Sequence, residues 1–265
     1  MSRFFLFLPL WLPLLLFSQK AEHDWENYIV PLNGKPVSIN VDLGLKSVAP
    51  VKEDSMVIIM RIRLNQLDQQ GMPRQEDMEN LLNIEDRLVE YLARQCGAVF
   101  AGRFTQRGIR EFYFYAPDTL GYRKALNQAM QPYSIFEWLA QAKMDKGWTN
   151  YFEVLYPSDL DFLRIQSKRK LAKLTVRKGE KINISHFLSF SDIASMNRFL
   201  SGPDAIGFSI EKLPAVVSAQ TGRFELLLSR EEKPYKGWIE GVIVPLFRKV
   251  SEYGGIYRGW EGNMP

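Results

Sequence analysis

Hydrophobic positions follow two different periods along this chain. In residues 56–64 they alternate with polar positions, which predicts a β-strand with one buried face. The side predicted to be buried contains Ile58, Met60, Ile62 and Leu64, and the opposite side contains Ile59, Arg61 and Arg63. In residues 76–95 the apolar positions recur three and four residues apart, and Gly97 follows them, which predicts an amphipathic helix.

The same two periods predict the other elements of the first half. Asn33-Gly34 lies between two apolar runs and predicts a β-hairpin, because both residues of the tight turn need positive φ. Further strands are predicted at 99–105, 110–116 and 135–143, and a second helix is predicted at 121–130. The order of the elements from residue 56 onward is therefore β-α-β-β-α-β.

The second half repeats this order after a basic helix at 159–174. Strands are predicted at 181–190, 207–213, 224–230 and 256–260, and helices at 191–200 and 236–253. Ser191 is expected to cap its helix. Pro245 lies inside the last helical pattern, where it either kinks the helix or starts a new first turn.

Two successive β-α-β-β-α-β units predict an α+β protein. Each unit is expected to be a ferredoxin-like domain, in which a four-stranded antiparallel sheet carries two helices on one face. We place the boundary at residue 157, which gives tandem domains at 19–157 and 158–265.

The first 18 residues are typical of a secretory signal peptide. Arg3 precedes an apolar run at 4–17, and Ser18 precedes the polar Gln19. The run is shorter than the roughly 20 residues that a helix needs to span a bilayer. We expect cleavage near Ser18/Gln19 and a periplasmic or secreted mature chain without a transmembrane span. An N-terminal membrane anchor is the alternative, because Leu16 stands where a small residue is usual.

Positive charge is concentrated in the second half of the chain. Residues 19–152 hold 16 basic and 17 acidic side chains, whereas residues 153–265 hold 17 basic and 13 acidic ones. Eight bases and one acid, Glu180, lie between Arg164 and Lys181. This pattern indicates either a solvated helix or a site for an anionic partner, such as an acidic protein surface or an anionic component of the cell envelope.

The candidate partner-binding residues come from this helix and from the last strand. They are Arg164, Lys168, Arg169, Lys170, Lys173, Tyr257 and Trp260. Nucleic acid is not expected as a partner. RNA-binding domains of this fold stack bases on aromatic residues of the sheet, whereas the four consecutive aromatics at 112–115 point to both faces, so at least half of them serve the core.

Few side chains offer catalytic chemistry. His23 is expected in the exposed start of the mature chain, and His186 on the apolar face of a strand. Cys96 is expected to be buried near a helix end. These three residues do not form a His/Cys zinc pattern. Glu85 and Asp86 are adjacent on a helix and do not share a face, which indicates a solvated edge. We therefore predict a protein that is not an enzyme and has no cofactor or metal site.

The first half resembles the domain-of-unknown-function family numbered 695. The matching pieces are Trp25 to Tyr28, Pro36-Val37-Ser38-Ile39, Ile84-Glu85-Asp86, Gly102-Arg103, Phe112-Tyr113-Phe114-Tyr115, and Trp148 to Pro157. That resemblance implies no activity.

The second half resembles the RraB family of regulators of ribonuclease E activity. The matching pieces are Ile184-Ser185-His186-Phe187-Leu188, Gly207-Phe208, and Tyr253 followed by Tyr257-Arg258-Gly259-Trp260. This resemblance implies a module that binds protein without chemistry. The regulators are acidic and ribonuclease E works inside the cell, whereas this half is basic and the chain carries an export signal.

The sequence therefore predicts a non-catalytic binding or regulatory protein of the exported or envelope compartment. The alternative is a protein inhibitor of an endoribonuclease of the ribonuclease E type. A hydrolase that uses carboxylates is a third hypothesis, which the two histidines and single cysteine do not favour.

Overall fold

The computed structural model describes residues 22–174, 181–202, 207–212, 222–235 and 237–263. The predicted signal peptide at 1–18 lies outside the described residues, and so do Arg177, Lys178 and Glu180 of the basic cluster. The chain divides into two compact units between Tyr156 and Pro157, one residue before the predicted boundary. Both units are α+β with antiparallel sheets.

Among its described residues, the first unit has six strands and two α-helices. In chain order they are β1 (Trp25–Leu32), β2 (Lys35–Asp42), β3 (Met56–Arg63), α1 (Gln75–Cys96), β4 (Val99–Gln106), β5 (Ile109–Ala116), α2 (Tyr122–Met130) and β6 (Trp138–Met144). The strands form one sheet in the order β1-β2-β4-β5-β3-β6. The elements from β3 to β6 therefore form the predicted β-α-β-β-α-β unit, and the hairpin of β1 and β2 extends its sheet.

Local signals in the sequence are confirmed in this unit. Asn33 and Gly34 have φ of 52° and 70° and turn the hairpin. Gly97 ends α1 in the left-handed region at φ 62°. The strand predicted at 135–143 begins three residues later, at Trp138, because residues 131–133 continue α2 as a short 3₁₀ turn.

The first half of β3 is buried on both faces, which corrects the prediction of one buried face there, whereas Arg61 and Arg63 are exposed as predicted. Ile58, Met60 and Ile62 pack in the core under the helices, as predicted. Val57 and Ile59 on the opposite face are also buried. They stand beside Tyr115 and Tyr113 of β5, and the ring of Trp148 stacks on Tyr115. The segment after β6 therefore covers part of the sheet face that the alternation of apolar and polar residues predicts to be exposed.

In the ranges of the second unit that the structure describes, there are four strands and three α-helices. In chain order they are α3 (Asp159–Lys173), β7 (Ile182–Phe190), α4 (Ile193–Ser201), β8 (Ser209–Lys212), β9 (Phe224–Glu232), α5 (Val244–Glu252) and β10 (Gly255–Asn263). The sheet order is β10-β7-β9-β8, and all pairs are antiparallel. Leu163 of α3 joins the core that Trp238 and Trp260 form on the helix-covered face.

Two details of the second unit depend on helix ends. Asp192, and not Ser191, caps α4, because its carboxylate accepts the backbone N–H of Ser195 at 2.7 Å. Pro245 lies in the first turn of α5, after a π-helical turn at Ile239–Ile243. This confirms the alternative in which the proline starts a new first turn. No helix in the described ranges has both the length and the apolar character needed to cross a membrane.

Candidate functional site

A large cavity lies among the described residues of the first unit. It is an open groove of about 1240 Å³. Trp25, Asn40, Phe100 and Arg103 contribute from the strands. Helix α1 contributes Glu85, Asp86, Val89 and Glu90, and the segment after β2 contributes residues between Leu45 and Asp54. We call this the first-unit groove. The hairpin extends the sheet beyond α1, and this extension creates the groove.

A row of aromatic rings follows the strands at the groove. Trp25 of β1 stacks on Phe100 of β4, with the ring centroids 5.3 Å apart, and Phe100 contacts Phe114 of β5 at 4.9 Å. Phe100 and Phe114 are buried, whereas Trp25 is 41% exposed. A tryptophan of this exposure on a concave surface is typical of a binding site, because its ring gains contact area when a ligand covers it.

Glu85 and Arg103 form an ion pair at the groove. The guanidinium of Arg103 contacts both carboxylate oxygens of Glu85, and their side chains are only 14% and 13% exposed. Glu85 is therefore not the solvated helix edge that the sequence indicates. Sequence spacing cannot reveal this pair, because it depends on how α1 lies over β4.

His23 is held at the groove by a buried carboxylate. Its Nδ1 lies 2.5 Å from Oδ2 of Asp42, which has no exposed surface. Oδ1 of Asp42 accepts the backbone N–H groups of Asp24 and Gly44 at 2.9 and 3.0 Å. The imidazole is exposed, as expected for this residue, but Asp42 fixes its position, and sequence reasoning missed this contact.

Trp148 fixes the loop that forms the outer wall. Its Nε1 donates to the carbonyl oxygen of Asp54 at 2.9 Å, and its ring stacks on Tyr115 with centroids 3.9 Å apart. The hydroxyl of Tyr115 donates to Asp145 at 2.8 Å. Burial, followed by this hydrogen bond, raises the pKa of Tyr115. The wall is therefore attached to the core of the sheet.

Asp145 organises the turn that carries Trp148. Its carboxylate accepts the backbone N–H groups of Thr149 and Asn150 at 2.8 and 2.9 Å, in addition to the Tyr115 hydroxyl. Burial raises the pKa of Asp145, but the hydrogen bonds from Asn150, Tyr115 and Thr149 outweigh burial and lower the pKa to about 2.

Carboxylates outnumber cations around the first-unit groove. Its lining contains the acids Glu53, Asp54, Glu85, Asp86 and Glu90 and the bases Lys52 and Arg103. Glu85 pairs with Arg103, and Glu90 pairs with Arg94 one helical turn away. Burial, and then the neighbouring Glu53, raise the pKa of Asp54. The groove is therefore a region of negative potential.

In the second unit, two of the predicted contact residues belong to the core. Tyr257 is 5% exposed and Trp260 is 1% exposed. Nε1 of Trp260 donates to the hydroxyl of Ser167 at 2.9 Å, and its ring packs edge-on against Trp238. Tyr257 and Trp260 therefore expose little side-chain surface, because they fill the interior of this unit, and their role as partner contacts stays a prediction.

The basic residues of α3 separate into three groups. Arg164 is engaged within the unit, because its guanidinium binds Glu240 at 2.8 Å and Asp161 at 2.9 Å. Lys170 donates to the carbonyl oxygen of Trp260 at 2.6 Å. Arg169 is half-buried, and Lys168 and Lys173 are exposed. Only Lys168 and Lys173 present the fully exposed charge that the sequence predicts for the whole set.

A smaller cleft brings some of the predicted residues together. It has a volume of about 610 Å³ and lies where α3 and α5 meet β10. Lys170, Tyr257 and Trp260 line it, together with Arg258, which donates to the hydroxyl of Ser189 at 3.1 Å. Of the side chains that line this cleft, Lys170, Arg258 and Trp260 form hydrogen bonds within the unit.

His186 lies in a buried polar cluster, in line with the prediction of a core histidine. Its Nδ1 is 2.8 Å from the Tyr257 hydroxyl, and its Nε2 is 3.5 Å from Glu232. Glu232 also accepts from Arg230 at 2.7 Å and from Nε1 of Trp238. Burial raises the pKa of Glu232, but the nearby His186 and the hydrogen bonds from Trp238 and Arg230 outweigh burial and lower the pKa. Burial, and then Glu232, raise the pKa of Tyr257.

Other candidate chemistry is sparse in the part of the chain that the structure describes. Cys96 is buried, as predicted, and burial followed by the charge of Asp118 raises the pKa of its thiol. Within the described ranges, no group of three or more His, Cys, Asp or Glu side chains is arranged to hold a metal ion.

Comparison with known proteins gives one match of sequence family. No curated protein matches the chain in sequence. Among solved structures, one similar chain is a protein assigned as a glycine cleavage system transcriptional repressor; it is 7% identical, with 79% of this chain and 98% of that chain covered and a TM-score of 0.21. At that TM-score the likeness carries no argument.

The family match covers the unit that contains the first-unit groove. The model of a family of unknown function, DUF695, matches residues 23–156. This range includes every residue that lines the groove, from His23 to Trp148. The chain therefore belongs to the DUF695 family.

Proposed function

We propose that this chain is a non-catalytic binding protein and that the first-unit groove binds a segment of a partner protein. The observation that carries the proposal is Trp25, whose exposed ring stacks on Phe100 in this groove of about 1240 Å³. Exposed aromatic residues in concave, well-packed surroundings supply much of the binding energy at protein interfaces.

The rigidity of the groove supports this proposal. Trp148 attaches the outer wall to the sheet, and the Glu85–Arg103 pair attaches α1 to β4. A preformed groove binds with a smaller entropy cost than one that must be ordered by its ligand. Arg103 also neutralises Glu85, so this carboxylate is held in an ion pair that fixes the wall of the groove.

Site-specific photo-crosslinking tests the proposed site. A photoreactive residue replaces Val89, which lines the groove, and in a matched control it replaces Glu79, which lies on the same helix but outside the lining. We expect one protein adduct from position 89 in cells that express the chain naturally, and its loss when Trp25→Ala is added. Identical adducts from both positions, or none from position 89, would overturn the proposal.

The fold and compartment complete the proposal. Strands β3 to β6 of the first unit and β7 to β10 of the second unit each have the strand order of a ferredoxin-like domain. In that order the first of the four strands is central and lies beside the third, which supports this fold for each unit. Arg3 and the apolar run at 4–17 support export. The N-terminal residue and cell fraction of the natural protein test this part: a start at Gln19 in the periplasmic or secreted fraction is expected, and a start at Met1 in the soluble cytoplasm contradicts it.

Regulation of an endoribonuclease of the ribonuclease E type is the second candidate. The stretch from Ile184 to Leu188 and the Tyr257 to Trp260 ending support an RraB-like second domain, 158–265. A cleavage assay with purified ribonuclease E separates the two candidates. If the first proposal is correct, adding the chain should leave the cleavage rate unchanged. Saturable inhibition would instead make ribonuclease control the leading function.

From the predicted set, the residues that α3 exposes to an anionic partner are Lys168 and Lys173. Lys168 and Lys173 are exposed, whereas Arg164 and Lys170 have partners inside the unit. A Lys168→Ala/Lys173→Ala variant tests this contact without disturbing the fold. If the variant binds the partner captured by the groove with unchanged affinity, these lysines are exposed to solvent and do not contact that partner.

A further inference from the structure

We infer that the segment bound in the first-unit groove carries lysine or arginine beside apolar side chains. This inference rests on the proposed function and names the chemistry of the partner. Its first support is the charge of the lining, which contains five carboxylates and two cations. The chain as a whole has a net charge of +4, so this groove differs in sign from the rest of the molecule.

Among the residues that the structure describes, three of these carboxylates take part in no ion pair. No ion pair or hydrogen bond within the described ranges involves the side chains of Glu53, Asp54 or Asp86. Glu53 and Asp54 lie on the loop wall, and Asp86 lies on the helix wall. A cation between the two walls would reduce the repulsion between Glu53 and Asp54, which contributes to the raised pKa of Asp54.

The apolar part of the lining explains why a bare metal ion or a polyamine does not suffice. Trp25 and Phe100 lie at the strands, and Val48, Val51 and Val89 lie on the walls. An exposed indole ring attracts ammonium and guanidinium groups through its negative face and also packs against the hydrocarbon stems of Lys and Arg. The surface therefore fits a side chain with both characters.

The size of the groove favours a peptide segment over a small amine. Its volume of about 1240 Å³ exceeds the roughly 300–1,000 Å³ that is usual for small-molecule pockets. A free hexylamine would fill only a small part of it. A segment with alternating apolar and basic residues would reach the aromatic row and both acidic walls at once.

Calorimetric titration of the full chain with three capped hexapeptides tests the inference. The peptides repeat Leu-Lys, Leu-Ser or Leu-Glu three times. We expect the Leu-Lys peptide to bind at least about tenfold more tightly than the other two, and its affinity to fall as salt is raised. Equal binding of the Leu-Lys and Leu-Glu peptides would overturn the inference.

A charge-matched pair of variants locates the binding. The triple variant Glu53→Gln/Asp54→Asn/Asp86→Asn should weaken binding of the Leu-Lys peptide by about tenfold. The control variant Glu79→Gln/Glu137→Gln/Glu153→Gln removes the same charge from exposed positions outside the groove and should leave the affinity unchanged. Equal losses in both variants would show a general charge effect and overturn the inference.

Two further results separate this inference from the proposed function. If the triple variant keeps the adduct from position 89, the inference fails while the groove stands as the binding site. If the parent chain gives no such adduct, the proposed function fails. If n-hexylamine binds as tightly as the Leu-Lys peptide, the inference of a peptide ligand is wrong and the groove is a site for free amines.

Discussion

The guanidinium of Arg103 on β4 contacts both carboxylate oxygens of Glu85 on α1, across 18 residues of sequence. The two side chains are mostly buried at the first-unit groove, and each neutralises the other. The pair therefore stabilises the contact between helix and sheet and also defines one boundary of the groove.

Breaking this pair should destabilise the first unit. Arg103→Ala leaves the largely buried carboxylate of Glu85 without its cation, and we expect it to lower the free energy of unfolding by about 2 kcal/mol. Hydrogen exchange of the β4 and β5 amides measures the loss in this unit alone. The double variant Arg103→Met/Glu85→Leu should recover most of the loss. An effect of Arg103→Ala below about 0.5 kcal/mol would contradict a stabilising role.

Asp145 should make the stability of the first unit depend on acid pH. Its pKa in the folded protein is about 2, below the ordinary value of 3.8. The stabilisation is therefore complete above pH 3.8 and is lost as the pH falls through 2, with a size of about 1 kcal/mol after allowance for solvent screening.

The Asp145→Asn variant tests this dependence. It cannot titrate, so its free energy of unfolding should fall less between pH 6 and pH 2 than that of the parent chain, in urea titrations at each pH. The exposed Glu79→Gln variant is the control and should follow the parent. The same pH profile in Asp145→Asn and the parent would exclude Asp145 as the titrating group.

Gly97 is required for its backbone conformation and not for space. Its φ is 62°, and a Cβ added at this position would meet no atom within 4 Å. Gly97→Ala should therefore destabilise the end of α1 by about 1 kcal/mol through backbone strain alone. Gly97→Asn should cost less, because asparagine adopts this conformation more readily. Thermal unfolding distinguishes them, and equal melting temperatures for the two variants would refute the argument.

Lys170 should stabilise the second unit, whereas Lys168 should not. The ammonium of Lys170 donates to the carbonyl oxygen of Trp260, and Lys168 is exposed on the same helix. We expect Lys170→Ala to cost about 1 kcal/mol in the exchange of β7 and β10 amides. Lys168→Ala is the matched control, with no effect expected. If both variants exchange like the parent, the contact with Trp260 contributes nothing to stability.

Most of the elements could be predicted from short stretches of sequence. The Asn33-Gly34 hairpin, the helix that ends at Gly97 and the repeated β-α-β-β-α-β order depend on backbone preferences and on apolar spacing, which are local properties. The cap of α4 shows the limit of this reasoning. Ser191 and Asp192 both suit a cap, and only the path of the chain decides that Asp192 accepts the Ser195 N–H.

The candidate site was not predictable in the same way. Sequence reasoning indicated the basic helix and the Tyr257 to Trp260 strand as partner contacts, because clustered charge and aromatic residues can be recognised from the sequence alone. In the fold, Tyr257 and Trp260 fill the core, because α3 and α5 pack over the face of the sheet that carries them. The helix packing that buries an aromatic ring is a property of the tertiary structure.

By itself, the sequence determined the α+β class, the order of the elements and the turns at Asn33-Gly34 and Gly97. Only the tertiary structure decided which distant side chains meet. Strand register places Trp25 on Phe100, the hairpin brings His23 to Asp42, and the position of α1 over β4 joins Glu85 to Arg103. Local periodicity specifies which face a residue occupies, but the pairing of faces depends on the packing of elements that are far apart in the chain.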